Sequence, residues 1–147
     1  MTESLTEKHA TARKFARADA FVNRRRGGDI RVVLSPKTVQ STSGFMGDLT
    51  LQPGEFVSEH YHPYSEEYLY VVRGSLHVRV NGDEELTVGE GEGVWIPMEA
   101  RHRVSNPGDV ETFAVFHLSP LAPRPELGHV DCEELPAADA PHPEVGG

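Results

Sequence analysis

Gly54, His60, His62, Glu67 and Gly74, followed downstream by Gly91, Pro97, His102 and Asn106, constrain the fold of this chain more than any other feature. Histidines at i and i+2 share a side only on extended backbone, because strand side chains alternate with a period of two whereas a helix needs a four-residue spacing. His60 and His62 therefore aim at one point from a strand. After a short turn carrying Pro63, Glu67 is expected to enter the neighbouring strand with its carboxylate on the side of Leu69 and Val71. His102 arrives from a separate hairpin far along the chain. Ligand-type side chains converging from distant strands describe a rigid, partly open site for one metal ion inside a small β-barrel.

The text around these residues is written in short β-prone runs: Ile30 to Leu34, Phe45 to Leu51, Glu67 to Val72, Leu76 to Val80, Glu85 to Val88, Val94 to Ile96 and Thr112 to Leu118. Turn chemistry separates them at Pro53-Gly54, Gly74, Asn81-Gly82, Gly89 to Gly93 and Pro107-Gly108. The clearest hairpin runs through Leu76, Val78 and Val80 and turns at Asn81-Gly82, where both positions accept the positive φ of a type I′ turn. Its parity sends His77 and Arg79 to the opposite side, so His77 reads as a solvated strand residue. The fold class expected is all-β, a single antiparallel barrel or sandwich. Residues 1–28 read as a flexible or partner-packed arm with a short helix over Ala10 to Ala20, residues 29–130 as the barrel, and residues 131–147 as a mobile acidic tail too poor in apolar groups to order itself.

At 147 residues one domain is expected, large enough for a core without disulfides or structural metals. A formal charge of -9 argues against phosphate backbones and anionic lipid as partners, so neither nucleic acid nor membrane is expected. No apolar stretch reaches the roughly 20 residues of a membrane helix. The lone Cys132 lies in the polar tail, which favours a reducing, cytoplasmic setting. Arg24, Arg25 and Arg26 lack the apolar run that a twin-arginine signal requires.

His117 is a further candidate. In the run Phe113 to Leu118 it shares a face with Phe113 and Val115, and if that face is the inner one its ring enters the same cavity as ligand or base. Residue types do not choose between Glu67 and His117 as the fourth ligand; an anionic Glu67 lowers the charge of the centre, whereas a neutral His117 leaves the ion its full Lewis acidity. Glu66 reads as an outward carboxylate, and Tyr68 and Tyr70 as outer-face aromatics of the kind found at subunit interfaces. His9, His129 and His142 have no patterned neighbours and receive no role.

Both glycine-framed motifs resemble the double motif of the cupin superfamily almost position for position. One departure is Glu99, which stands where that motif usually has glycine, so the turn there either avoids positive φ or tolerates strain. The resemblance implies a jelly-roll-like barrel, generally a homodimer, with one divalent ion held by the motif histidines and glutamate. Stretches outside the motif, Asn23 to Asp29, Ser43 to Gly47, His60 to Glu67 and Ser119 to Asp131, look like the cupin-type cyclases of bacterial aromatic polyketide pathways. This likeness implies a metal-dependent aldol ring closure and aromatisation of a poly-β-ketone, either free or bound to an acyl carrier protein. The centre expected is His60, His62, His102 and either Glu67 or His117, with metal-held water, Glu67 or His117 taking the proton. Because ring closure needs no redox change, zinc is favoured over iron, nickel or manganese. The alternatives are a cupin dioxygenase acting on a dicarbonyl or phenolic substrate and a non-catalytic partner of a polyketide synthase complex.

Overall fold

A computed structural model describes residues 11–143 of the chain. In chain order the elements are β1 (Asp29–Leu34), the single-turn helix α1 (Pro36–Val39), β2 (Phe45–Leu51), β3 (Phe56–Tyr61), β4 (Glu66–Arg73), β5 (Ser75–Val80), β6 (Glu84–Gly89), β7 (Gly93–Ile96), β8 (His102–Ser105), β9 (Thr112–Ser119) and β10 (Val130–Asp131). They form two five-stranded sheets, ordered β1-β2-β9-β4-β7 and β10-β3-β8-β5-β6, with antiparallel pairing throughout. The chain is an all-β antiparallel sandwich, as its turn-punctuated sequence predicts.

Alternation builds the core. Leu49 and Leu51 of β2, Leu69 and Val71 of β4, and Ala114, Phe116 and Leu118 of β9 are buried from the first sheet; Val57, Leu76, Val78, Val80 and Val104 are buried from the second. Burial of each large aliphatic side chain contributes about 1.5–3 kcal/mol, which makes this inter-sheet layer the main source of cohesion. The β5–β6 hairpin turns as expected: Asn81 and Gly82 have φ of 52° and 84°, and the Asp83 amide donates to the Val80 carbonyl at 3.3 Å. Val80 pairs with Glu84, so Asp83 adds one residue to the loop. Between β4 and β5 the chain crosses from one sheet to the other at Gly74, whose φ of 81° and close approach to Thr112 leave no room for a Cβ.

Among the described residues, both terminal segments make contacts with the barrel, and residues 144–147 of the expected tail lie outside the described range. Among the described residues, the helix expected from Ala10 is a 3-10 turn at Arg17–Asp19, and Ala10 and His9 lie outside the described range. The arm lies on its own barrel: Arg17 pairs with the buried Asp48 at 2.8 Å, and Asn23 bridges to Ile30. The acidic segment from Asp131 to Pro143 is laid against the barrel and the arm. Val130 and Asp131 pair with Tyr61 and His60, Cys132 donates to the Glu59 carbonyl, Arg26 meets Asp131 at 3.0 Å, and Arg25 donates to the carbonyls of Ala138 and Ala140. A hydrophobicity argument overlooks this docking because charge-assisted hydrogen bonds from the arginine run provide it. No helix among the described residues is long and apolar enough to cross a membrane.

Candidate metal centre

The site is made by a break in alternation. From Val57, which is buried in the core, a regular strand would point Glu59 and Tyr61 inward and turn His60 and His62 away. The β3–β8 register shifts between Val57 and His60: Val57 pairs with Val104, and His60 pairs with His102, so β3 carries one extra residue. This bulge at Ser58 and Glu59 resets the parity and delivers His60 to the interior opposite His102, with His62 just beyond the strand end on the same side. Glu67 comes from the facing sheet, flanked by Ile96 and Leu118 as its strand partners.

The result is a compact cluster. The ring centroids of His60 and His102 are 4.3 Å apart, those of His60 and His62 4.9 Å, and those of His62 and His102 5.4 Å. Glu67 Oε1 lies 3.2 Å from His62 Nε2 and 3.1 Å from His102 Nε2. One potential ligand atom from each of His60, His62, Glu67 and His102 lies within 4.8 Å of every other, and all four residues are buried.

Backbone carbonyls orient the imidazoles. His60 Nδ1 is 2.7 Å from the Ser58 carbonyl, His102 Nδ1 is 2.9 Å from the Ala100 carbonyl, and His62 Nδ1 is 3.0 Å from the Gly128 carbonyl. A carbonyl only accepts, so each Nδ1 donates to it, and Nε2 is the ring atom of each imidazole left to face a cation. Burial, followed by the neighbouring His102, His129 and His62, holds His60 well below the usual imidazole range and so neutral. Burial alone would raise the Glu67 carboxyl, but hydrogen bonds from His102 and His62 hold it well below the ordinary range. His102 is lowered by burial, yet its hydrogen bond to Glu67 raises it overall. Three imidazole nitrogens and one carboxylate oxygen around a common point fit a divalent cation of the zinc type.

Of the residues singled out from the sequence, His117 does not join this cluster. On β9 the buried face is Thr112, Ala114, Phe116 and Leu118, which turns His117 outward with Phe113 and Val115. Its ring lies 6.0 Å from that of Tyr68, beside Met46 in register. Parity was ambiguous because both faces of β9 are apolar. Outside, Met46, Tyr68, Tyr70, Trp95, Val115 and His117 line a shallow hollow of about 380 Å³. His77 also faces outward and meets Glu85 at 2.8 Å.

One residue without a sequence signal does join the centre. His129 stacks on His60 with centroids 4.3 Å apart and planes at 15°, and stands edge-on to His62 at 5.3 Å. Its Nε2 is 2.9 Å from Asp131 Oδ1, and burial together with the nearby Arg26 pushes its pKa down to about 2. The only local cue was the His129-Val130-Asp131 spacing, which acquires meaning once β10 pairs with β3.

The departure at Glu99 is strained. Glu99 has φ of 71° while Ala100 donates to the Pro97 carbonyl at 3.2 Å, the φ > 0 position of a type II turn. The same residue's amide donates to the His62 carbonyl at 3.0 Å, tying the turn to the ligand segment.

Comparison with known proteins follows this geometry. The Cupin domain family, Cupin_2, matches residues 47–117. The tetracenomycin polyketide synthase protein TcmJ of Streptomyces glaucescens is 50% identical over 138 residues, covering 94% of this chain and 92% of the relative. The polyketide synthase CurC of Streptomyces cyaneus is 56% identical over 117 residues, covering 80% of this chain and 75% of the relative. Among solved structures, Bacillus subtilis oxalate decarboxylase at pH 4.6 superposes with a TM-score of 0.70 at 20% identity, covering 84% of this chain and 33% of that one. A Klebsiella pneumoniae protein with a double-stranded β-helix domain superposes with a TM-score of 0.66 at 16% identity, covering 84% of this chain and all of that one, 100%. At these identities the structural likenesses speak to fold alone.

Proposed function

This chain belongs to the cupin domain family, and from that premise we propose that it is a metal-dependent cyclase of aromatic polyketide biosynthesis. The reaction is an aldol ring closure within a poly-β-ketone, followed by loss of water to give an aromatic ring. The observation that carries this reading is the buried His60, His62, Glu67 and His102 cluster, in a chain whose relatives over most of its length are named as polyketide synthase proteins.

These four residues would hold one divalent ion, with zinc favoured, because three imidazoles and a carboxylate suit it and the reaction transfers no electrons. When bound, such an ion supplies Lewis acidity toward a 1,3-dicarbonyl unit and stabilises enolate charge. Glu67 is the buried carboxylate of the cluster, and its oxygen not shared between His62 and His102 is assigned the methylene proton. His60, kept neutral by burial, contributes no competing positive charge. Val80, Ile96 and Leu118, strand partners of His102 and Glu67, give apolar walls that hold the chain folded and keep water from the enolate. The substrate is a free or carrier-bound polyketide, and the protein works in the cytoplasm as a homodimer through the outer aromatic face at Tyr68, Tyr70 and Trp95.

The test is product formation from a reconstituted polyketide, with the metal content of protein purified without added metal measured in parallel. Cyclisation is expected to continue without O2, to stop on chelation, and to be lost together with metal binding in His60→Ala and His102→Ala. Dependence on O2 would transfer the protein to the dioxygenases. Metal-loaded protein that turns over no chain would support a non-catalytic synthase partner, a reading favoured by relatives named for the synthase itself.

A further inference from the structure

Two of the three imidazoles at the centre are oriented by backbone close by in the chain. The Ser58 carbonyl holds His60 and the Ala100 carbonyl holds His102, each from two residues upstream. The third is oriented from far away: His62 Nδ1 donates to Gly128, 66 residues later. Gly128 belongs to the segment between β9 and β10, and the docking of that segment is visible along its length. Ser65 donates to the Pro120 carbonyl at 2.5 Å, and Val130 and Asp131 pair with Tyr61 and His60 on the ligand strand. Beyond them Arg26 grips Asp131. The same segment lays the His129 ring flat on His60 and edge-on to His62.

We propose that residues 120–131 are a strap that completes the metal centre, in which the Gly128 carbonyl aims His62 and the His129 ring roofs His60, so that the ion is retained only while the strap is docked on β3. Gly128 and His129 are positioning residues here, since they act through His62 and His60. An imidazole without its carbonyl acceptor rotates about its side-chain bonds and loses the defined tautomer, and such outer partners typically cost 10–100-fold in metal affinity when removed. The roof adds a second effect. The cluster residues are buried in part by His129, so losing that ring opens a path for water and chelators. The strap also explains why the acidic C-terminal segment is held by arginines of the arm: Arg26 on Asp131 clamps the element that carries His129.

This inference rests on the proposed metal centre, and its test separates the two. Full-length protein is loaded with Zn2+ alone, release to a chromogenic chelator is timed, and the electronic spectrum of the Co2+-loaded form is recorded. Val130→Pro removes a backbone donor from β10 without touching a proposed ligand. It should release zinc at least about 10-fold faster and alter the cobalt spectrum, with far-UV circular dichroism confirming the folded barrel. His129→Ala should also release faster, whereas His129→Phe, which keeps a flat ring but no nitrogen, should restore slow release. Val130→Pro with native release and an unchanged cobalt spectrum would overturn the strap and leave the metal centre standing. His129→Phe as leaky as His129→Ala would also overturn it, because the ring would then act through its nitrogen. Native protein that takes up neither ion would remove the centre and the strap together.

Discussion

Adjacent glutamates on β4 end in opposite worlds. Glu67 projects inward, where burial would raise its carboxyl but hydrogen bonds from His102 and His62 hold it low. Glu66, one residue earlier, projects outward and accepts from Trp95 Nε1 at 2.9 Å and Tyr68 Oη at 2.8 Å, which also lower it. Both carboxyls shift in the same direction, yet the inner one stands among imidazoles in a dry interior and the outer one in water beside exposed rings. The inner face of β4 continues through Leu69 and Val71 into the core; the outer face continues through Tyr68 and Tyr70, roughly half exposed at 46% and 49%. A direction of pKa shift does not locate chemistry by itself. Convergence of several such groups in a water-poor site does.

This contrast predicts unequal consequences for chemically equal changes. Glu67→Gln should lower zinc affinity by about 100-fold or more, since it removes the anion from a buried centre, while Glu66→Gln should leave metal content and cyclisation unchanged; calorimetric titration of both variants decides it. A Glu66→Gln protein that lost its metal would erase the distinction between the faces. In the layers beneath, Leu69→Ala should cost about 2–5 kcal/mol, measured by urea unfolding, because it leaves a cavity between the sheets.

On the outer face, Trp95→Ser should leave urea stability at low protein concentration nearly unchanged but weaken self-association by about 30-fold or more, read by sedimentation velocity, as expected for an aromatic anchor worth about 2 kcal/mol at an interface. Unaltered association would remove the proposed homodimer contact from β4 and β7. The smallest effect is at the turn near His62. Glu99→Gly should stabilise the fold by about 0.5–1 kcal/mol, since glycine relieves the positive φ at some entropic cost, and should leave metal content intact.

Three strands, β3, β8 and β10, are absent from the β-prone runs of the sequence, and the first two carry histidines of the cluster. β3 and β8 have no run of apolar residues because their inward positions are occupied by His60 and His102 in place of aliphatics. The hydrophobic alternation that reveals β2, β4, β5 and β9 is thus weakest where the site is built. The i, i+2 spacing of His60 and His62 was legible as a shared face, but the bulge at Ser58 that turns this face inward was not, since Val57 in regular alternation predicts the opposite. His117 shows the converse problem. With Phe113 and Val115 on one side and Ala114, Phe116 and Leu118 on the other, period-2 patterning alone cannot say which side is dry.

The amino-acid sequence by itself determined the all-β class, the main turns at Gly74 and Asn81-Gly82, and three histidines able to meet around a cation with either Glu67 or His117, because these follow from local backbone preferences and from side chains whose ligand chemistry is intrinsic. Only the tertiary structure decided that His117 faces out, that the polar C-terminal segment docks, and that His129 and the Gly128 carbonyl stand at the centre. Those outcomes depend on strand register and on pairing between β3 and β10, contacts between residues far apart in the chain that carry no local signature.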